Sequence, residues 1–247
     1  MKIIDIDGIV LSDTNYSESS KILNVLTEEY GLIGIISKGC RNLKSKLRGV
    51  SQKLIYGTFH IYYKENGLST LISVDVKNSF TNILKDLTKI SYSTYLLDLT
   101  KQVLRDVEVE DIFSLLINTL EKINEDYDSL VLTNILELKY LDFLGVKPSL
   151  DACNICGSQE DIVSLSASSA GFVCSNCITN EKISNPKTIQ MIRMYYYVDI
   201  KNITKLDVSS EVTNEINRFL DDYYDRFTGL YIKSKDFLKK INSLNKE

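Results

Sequence analysis

Four cysteines arranged as two CxxC pairs constrain the fold of this chain more than any other feature. They are Cys153, Cys156, Cys174 and Cys177, and 17 residues separate the two pairs. A CxxC turn brings two sulfurs within reach of one metal ion, and two such turns supply the four thiolates of a closed tetrahedral zinc site. Because protein atoms fill all four positions, none remains for water or substrate. The spacing therefore predicts one structural Zn²⁺ ion, which would help to fold a loop with little apolar periodicity.

Other interpretations of the quartet stay open at this point. Two disulfides would require an oxidising compartment, and a thioredoxin-like redox pair would require a βαβ setting. An iron–sulfur cluster also uses four cysteines, although its spacing is usually more compressed on one side. Free cysteines that fall into this spacing by chance are a further alternative. Cys40 has no cysteine nearby in the sequence and is interpreted as an ordinary small residue.

The composition indicates a soluble globular protein with one to three domains. Of its 247 residues, 44% are apolar and 25% are charged. The first eight residues contain two aspartates and no long apolar segment, so we expect no signal peptide. No apolar run approaches the roughly 20 residues that a membrane span requires, and we expect no membrane association. The expected location is the cytoplasm, at the nucleoid, where the thiols would stay reduced and available to a metal.

Few of the residue patterns that carry enzymatic chemistry are present. His60 is the single histidine, and it lies in a predicted strand without the sequence context of a catalytic triad. The glycines form neither a GxGxxG nor a GxxxxGK[ST] phosphate loop, and no GxSxG elbow occurs. We therefore predict that the protein is not an enzyme and has no catalytic residues.

Positive charge is concentrated in one segment of an acidic chain. Between Glu29 and Glu65 there are seven basic residues and no acidic one, which leaves 22 basic against 33 acidic residues elsewhere. Such clustering is typical of proteins that bind the phosphate backbone of nucleic acids. The alternatives are a solvated basic loop and a patch that docks the acidic tail of a partner protein. The six candidate DNA contacts are Lys38, Arg41, Lys44, Lys46, Arg48 and Lys53.

Apolar periodicity predicts an α+β chain with strands first and helices afterwards. Strand-like runs cover 3–11, 31–37, 54–63 and 68–74, and the segment 20–28 fits either a strand or a helix. Several short strands in about 75 residues suggest a small barrel. Helical stripes begin near residue 81, and one of them ends near Gly145 with Pro148 beyond it. The cysteine loop is thus predicted to be inserted between helices.

Seven blocks of the sequence carry a resemblance to a known family. They are Gly8–Leu11, Tyr16–Leu23, Thr27–Gly31, Ser37–Arg41, Lys44–Gly49, Leu136–Pro148 and Cys153–Gly157. With these blocks the chain resembles the bacterial recombination mediator family RecO. The similarity covers about residues 1–180 and includes one departure, Ser169-Ala170-Gly171, where the family often has two adjacent glycines.

The resemblance implies a fold and a set of partners. The fold is an N-terminal OB-fold barrel (residues 1–80) followed by a helical bundle in two parts (81–148 and 185–247) with a zinc ribbon inserted between them (149–184). The function is to bind single- and double-stranded DNA, to anneal strands and to help load RecA onto strands coated with the single-strand-binding protein. The implied partners are RecR, the single-strand-binding protein and, more distantly, RecF. Lys38, Arg41, Lys44, Lys46 and Arg48 carry over as DNA contacts, and Lys53 is added on charge alone.

Aromatic residues near the basic segment offer candidate stacking faces for bases. Strand alternation places Phe59 and Tyr63 on one face, and Tyr56 and Tyr62 on the other. One of these two pairs is expected to belong to the core.

Overall fold

The N-terminal segment forms a closed barrel. A computed structural model describes residues 2–104 and 110–244 of the chain. Five strands close in the order β1-β2-β3-β5-β4, which is the topology expected of an OB-fold. Their bounds are β1 Lys2–Tyr16, β2 Ser20–Thr27, β3 Gly31–Ser37, β4 Tyr56–Tyr63 and β5 Ser69–Asn78. The predicted fold class is confirmed, and the segment that fitted either a strand or a helix is the strand β2.

Strand β1 closes the barrel because it pairs along both of its edges. Its first half is antiparallel to β4, from Lys2 opposite Tyr63 to Ile9 opposite Tyr56. Its second half is antiparallel to β2, and the register shifts between Val10 and Ser12. Such an irregularity bends a strand and increases its twist, which lets one long strand serve two partners. The remaining closure is the parallel pairing of β3 with β5.

Alternation along the strands separates the barrel core from its outer face. On β4, Phe59 and Ile61 are fully buried in the core, and Tyr63 packs at its margin. Tyr56 and Tyr62 lie on the outer face because alternate residues of a strand point to opposite sides. The core-side members of the four predicted aromatics are therefore Phe59 and Tyr63. The buried core comprises Ile6, Val10, Leu23, Val25, Ile35, Ile55, Phe59, Ile61 and Leu71.

In the described part of the chain, four helices belong to the same compact unit as the barrel, a unit that spans Met1–Asn124 and Ser234–Glu247. They are α1 Thr81–Leu84, α2 Leu87–Val103, α3 Glu110–Asn124 and α7 Lys233–Leu244. Helix α2 packs against β1, and Lys101 Nζ donates to Ser12 Oγ at 3.2 Å. The C-terminal helix returns to this unit, where Asn242 Nδ2 donates to the Tyr92 hydroxyl at 2.8 Å.

The second compact unit, Glu125–Lys233, contains the cysteine ribbon. Its elements are α4 Ser129–Phe143, β6 Ile162–Ser166, β7 Gly171–Cys174, α5 Pro186–Tyr197, a 3₁₀ turn Ile200–Asn202 and α6 Ser210–Phe227. Helix α4 ends at Phe143, two residues before Gly145, which has a φ of +70°, so the predicted stop is confirmed. Asn185 caps α5 by accepting a hydrogen bond from the Lys187 amide at 2.9 Å. The grouping into two units does not test the four predicted domain ranges, which stay a prediction.

None of the helices in the described ranges 2–104 and 110–244 combines the length and the apolar character of a membrane span.

Candidate nucleic-acid interface and metal cluster

The predicted DNA contacts lie on one segment between β3 and β4, residues 38–53, which we call the basic loop. Successive turns shape it: the Asn42 amide donates to the Gly39 carbonyl at 3.2 Å, Ser45 to Asn42 at 3.0 Å and Arg48 to Ser45 at 3.2 Å. Two positive-φ residues frame it, Gly39 at +67° and Leu54 at +66°. The backbone is therefore organised by local hydrogen bonds over the segment that carries the charge.

The basic loop is also tied to the β1–β2 turn. The Arg41 amide donates to the Ser19 carbonyl at 2.9 Å, and the Arg41 Nη1 donates to the Ser17 carbonyl at 3.1 Å. The Gly39 amide donates to Ser20 Oγ at 3.3 Å. Loops between the first two strands are among those that bind oligonucleotides in this fold. The cations are consequently displayed beside a part of the barrel that the fold commonly uses for binding.

Apolar side chains fix the underside of the basic loop to the barrel. Leu47 and Val50 pack against the barrel core, and Cys40 is 2% exposed. The hydroxyls of Ser37 and Ser51 lie 2.7 Å apart in a buried hydrogen bond. The interpretation of Cys40 as a small packing residue is consistent with this position.

The basic side chains point to solvent. Lys53 is half-buried, and the other five are exposed. None of the six forms an ion pair with any residue in the described ranges. Unpaired, solvated cations that no neighbouring carboxylate neutralises can release condensed counterions when they meet a polyanion. The five exposed residues are Lys38, Arg41, Lys44, Lys46 and Arg48.

Of the aromatic residues proposed for stacking, Tyr62 is the one with an exposed ring on the outer face. Its side chain is 42% exposed. Tyr56 packs edge-on against Phe113 of α3, with ring centroids 6.2 Å apart. Tyr63 packs against Tyr30 with centroids 5.0 Å apart. Of the four aromatic residues proposed for stacking, Tyr62 is therefore the most exposed. Tyr16 and Tyr30, which the sequence analysis did not select, are also exposed, at 48% and 41%.

A cluster of carboxylates around His60 occupies the outer face of β1, β4 and β5, and the sequence analysis did not foresee it. His60 Nδ1 lies 2.6 Å from Asp5 Oδ1, and Nε2 lies 3.0 Å from Asp75 Oδ2. The hydrogen bonds to Asp5 and Asp75 raise the pKa of His60 above its usual range. Register explains the cluster, since Asp5 and His60 are directly opposite across β1 and β4.

The same outer face carries one further carboxylate, Asp7, which bonds to Lys77 and Thr58. Burial raises the pKa of Asp7, but the hydrogen bonds from Lys77 and Thr58 outweigh it, and the net pKa is lowered. This face therefore carries three aspartates, in contrast to the basic loop.

The four predicted metal ligands meet in the second unit. Their sulfurs all lie within 4.8 Å of one another, and the Sγ atoms of Cys156 and Cys174 are 3.7 Å apart. Zinc–sulfur bonds of 2.3 Å in a regular tetrahedron place the sulfurs about 3.8 Å apart, so the cluster fits that geometry. All five cysteines of the chain are free of disulfides. The cluster has the donors and the dimensions of a metal site.

Backbone hydrogen bonds hold both knuckles in position. The Gly157 amide donates to the Cys153 carbonyl at 2.8 Å, and the Cys177 amide donates to the Cys174 carbonyl at 3.1 Å. Between them, the short antiparallel pair β6–β7 brings Cys174 opposite Ile162. The knuckle turns are thus formed by the backbone, which aims two sulfurs from each side at one point.

The pKa values of two of these thiols, Cys153 and Cys177, are shifted in opposite directions. Burial raises the pKa of Cys153, but hydrogen bonds from the amides of Cys156, Cys174 and Ile155 outweigh it and bring the pKa to about 6. Hydrogen bonding to Cys156, with burial, raises the pKa of Cys177 to about 12. The first thiolate is stabilised by amide dipoles, whereas the last would form beside other sulfurs. A divalent cation removes this conflict because it stabilises all four thiolates together.

Comparisons with known proteins agree with this architecture over the whole chain. A family described as Recombination protein O N terminal matches residues 1–80, and Recombination protein O C terminal matches residues 84–236. The similarity therefore extends beyond residue 180, where the sequence blocks alone had become weak.

Full-length relatives give the same result. A protein named DNA repair protein RecO from Bacillus pumilus is 34% identical over 248 residues, covering 99% of this chain and 96% of the relative. Proteins of the same name from Halalkalibacterium halodurans and Listeria monocytogenes are 34% and 32% identical, each over 96% of this chain. With both halves of the chain matched and the barrel and cysteine ribbon in place, the chain belongs to the RecO family.

Proposed function

We propose that this protein is a DNA-binding recombination mediator. Family membership supports a role in DNA repair and recombination. The observation that carries the DNA-binding proposal is the basic loop, which presents five exposed, unpaired cations on an OB-fold barrel and contains no carboxylate. Within this proposal Lys38, Arg41, Lys44, Lys46, Arg48 and Lys53 contact phosphates, and the contacts carry no sequence readout.

In this role the protein would bind DNA strands and anneal complementary ones. It would help to load RecA onto single strands covered by the single-strand-binding protein, together with RecR and, more distantly, RecF. A non-enzymatic role is supported by the state of the single histidine, whose two ring nitrogens are both bonded to exposed aspartates. Neither ring nitrogen is therefore hydrogen-bonded to a serine or cysteine that could act as a nucleophile.

The metal in this proposal is one structural Zn²⁺ ion held by the four cysteines. The sulfur spacing and the purely thiolate donor set support zinc, because closed four-cysteine sites of tetrahedral geometry are typical of it. The ion would supply folding free energy to the ribbon and take no part in DNA chemistry.

A salt-titrated binding measurement tests the DNA-binding proposal. Labelled single-stranded and duplex oligonucleotides would be titrated at several salt concentrations, and log K plotted against log salt. Five or six cations on single-stranded phosphates predict a slope of about −3.5 to −4, because each neutralised phosphate contributes about −0.7. Replacing Lys44, Lys46 and Arg48 together by alanine should flatten the slope by about 2 on the same rule.

A matched control keeps the net charge change equal. Replacing Lys187, Lys201 and Lys205, three exposed lysines of the second unit, by alanine removes the same charge elsewhere. The control should leave the slope within about 0.5 of the starting value on the counterion-release rule. Equal slopes for the parent and the loop variant would refute the assignment of the basic loop.

The second candidate is an adaptor whose basic loop docks an acidic partner tail. The same unpaired cations favour it, and both activities are compatible with one surface. A competition between an acidic tail peptide and an oligonucleotide separates them. If the loop variant loses the peptide and keeps the DNA, the basic loop is a protein-docking site.

A further inference from the structure

A concave site lies between the basic loop and strand β2. None of the cysteines of the two CxxC pairs lines it. The cavity has a volume of about 500 Å³ and is open to solvent. Three of its six lining residues are cations, Lys21, Arg41 and Arg48. The remaining three are Cys40, Gly49 and Gln52. We call this cavity the arginine cleft.

One of the three cations is already engaged. Lys21 Nζ lies 2.7 Å from Asp13 Oδ2 and donates to the Ser51 carbonyl at 3.1 Å. Both partners of this ion pair are mostly shielded, with side chains 24% and 20% exposed. The pair contributes little net charge to the arginine cleft, so its positive potential comes from the two arginines.

The two arginines are held differently. Arg41 is fixed at its backbone by Ser19 and at one guanidinium nitrogen by the Ser17 carbonyl, which leaves its other N–H groups for a ligand. The Arg48 guanidinium makes no contact with a described carboxylate. Gly49 leaves the wall open, since a Cβ atom there would meet nothing within 4 Å. One arginine is thus oriented in advance, and the other is free to close on an anion.

Lys44 and Lys46 differ from these arginines because they lie on the same loop but do not line the cleft. An ammonium group acts on phosphate as a solvated point charge, whereas a guanidinium offers a planar fork of donors that matches two phosphate oxygens. The basic loop therefore contains cations of two kinds, distinguished by their surroundings.

We propose that the arginine cleft is a phosphate-binding subsite in which Arg41 and Arg48 hold one phosphodiester of the DNA backbone by direct hydrogen bonds. Lys44 and Lys46 contact neighbouring phosphates as solvated point charges, outside the cleft. This proposal rests on the proposed DNA-binding function and assigns separate roles to residues of the same loop. Lys21 also lines the cleft, but its ion pair with Asp13 largely neutralises its charge.

Charge-conserving substitutions test the proposal. Arg48→Lys and Arg41→Lys remove the fork and keep the charge, while Lys44→Arg and Lys46→Arg are the matched controls. A 20-nucleotide oligo(dT) is titrated from 50 mM to 1 M salt. All four variants should keep the slope, but each arginine variant should bind about tenfold more weakly at every salt concentration, because hydrogen bonds to charged groups are lost. The lysine variants should stay within about twofold of the parent.

The possible outcomes separate this proposal from the one on which it rests. If the arginine variants and the lysine controls bind equally well with the parental slope, the cleft assignment is wrong and DNA binding stands. If the parent binds no oligonucleotide in a salt-dependent way, the proposed function fails first. Circular dichroism of each variant confirms that the barrel is folded before its affinity is interpreted.

Two further arms identify the ligand and the role of Lys21. Inorganic phosphate at constant ionic strength should leave oligo(dT) binding within about twofold, and strong inhibition would indicate a free-anion site and overturn the phosphodiester assignment. Asp13→Asn should release Lys21, tighten binding and steepen the slope by about 0.7. An unchanged slope in Asp13→Asn would remove Lys21 from the site.

Discussion

The junction between Gly171 and Ser149 gives the sharpest test of how the ribbon is built. Gly171 is the first residue of β7 and has a φ of +142°, which residues other than glycine rarely adopt. A Cβ atom at this position would lie 2.2 Å from the Ser149 carbonyl oxygen and 2.7 Å from its nitrogen. Both contacts are with backbone atoms, so no flexible side chain can move aside. We predict that Gly171→Ala strongly destabilises the second unit.

The magnitude follows from three local terms. The disfavoured backbone conformation costs about 1–3 kcal/mol, and forced overpacking costs a similar amount. The clash also displaces Ser149 from two hydrogen bonds, to Phe172 N at 2.8 Å and Ala170 O at 3.0 Å. Each is worth about 0.5–1.5 kcal/mol. Together these terms predict a loss of about 3–9 kcal/mol in the free energy of unfolding, which lowers the melting temperature by roughly 6–36 °C.

Thermal unfolding and metal release measure this effect together. Gly157→Ala is the matched control in the same ribbon, because Gly157 has a φ of +76° but no atom within 4 Å of the added Cβ. It should cost only about 1 kcal/mol of left-handed strain. Release of the bound ion to a coloured chelator should accelerate on heating in Gly171→Ala and much less in Gly157→Ala. If the two variants melt within about 2 °C of each other, the steric account of Gly171 is refuted.

Four further predictions address other parts of the chain. Ala170 has a φ of +54°, and Ala170→Gly should raise the melting temperature by a few degrees through about 1 kcal/mol of relieved strain. The raised pKa of His60 means that its stabilising contribution is full below about pH 6.5 and is lost as pH rises through the folded-state pKa, so His60→Gln should flatten stability between neutral and mildly alkaline pH in pH-dependent melting curves. Phe59→Ala should cost about 3–5 kcal/mol in denaturant unfolding, whereas the exposed Tyr62→Ala should cost less than about 0.5 kcal/mol. Chelation of the metal should increase hydrogen exchange first in residues 149–184, and unchanged exchange there would contradict a structural role of the ion.

Local chemistry explains which parts of the structure could be predicted from the sequence. The strands of the barrel follow from period-two alternation and from turn residues such as Gly67, which closes the β4–β5 hairpin. The start of α5 at Asn185 and Pro186 and the end of α4 at Gly145 follow from capping rules. The cysteine cluster follows from spacing alone, since each CxxC turn is a local structure. In each case the determining interactions span only a few residues.

Features that depend on strand register could not be predicted. His60 meets Asp5 only because β1 and β4 pair with those residues opposite, and they are 55 positions apart in the sequence. Arg41 meets Ser17 and Ser19 only because the basic loop folds back on the β1–β2 turn. Charge counting identified the basic segment, but it could not distinguish an arginine that lines a cleft from a lysine beside it.

The ribbon hairpin was missed for a different reason. Residues 162–174 have little alternation, and only the second strand is fully buried. Its order comes from contacts beyond the pairing of β6 with β7, namely the convergence of the four sulfurs and the backbone pairing of Ser149 with Gly171. Ser, Asn and Gly are the residues that such externally held turns use, and they leave no hydrophobic period to detect.

The distribution of charge on the barrel has a consequence for binding. The basic loop contains no carboxylate, whereas the outer face of β1, β4 and β5 carries Asp5, Asp7 and Asp75. Because Lys77 pairs with Asp7 and His60 lies between the other two aspartates, this face is only weakly negative. A polyanion is attracted to the first surface and weakly repelled by the second, and both effects favour one orientation of the strand. Both effects weaken beyond a Debye length of about 10 Å at 0.1 M salt. Orientation by the acidic face should therefore fade at high salt, while the hydrogen bonds proposed for the arginine cleft should persist, so that ionic strength alone separates the two contributions.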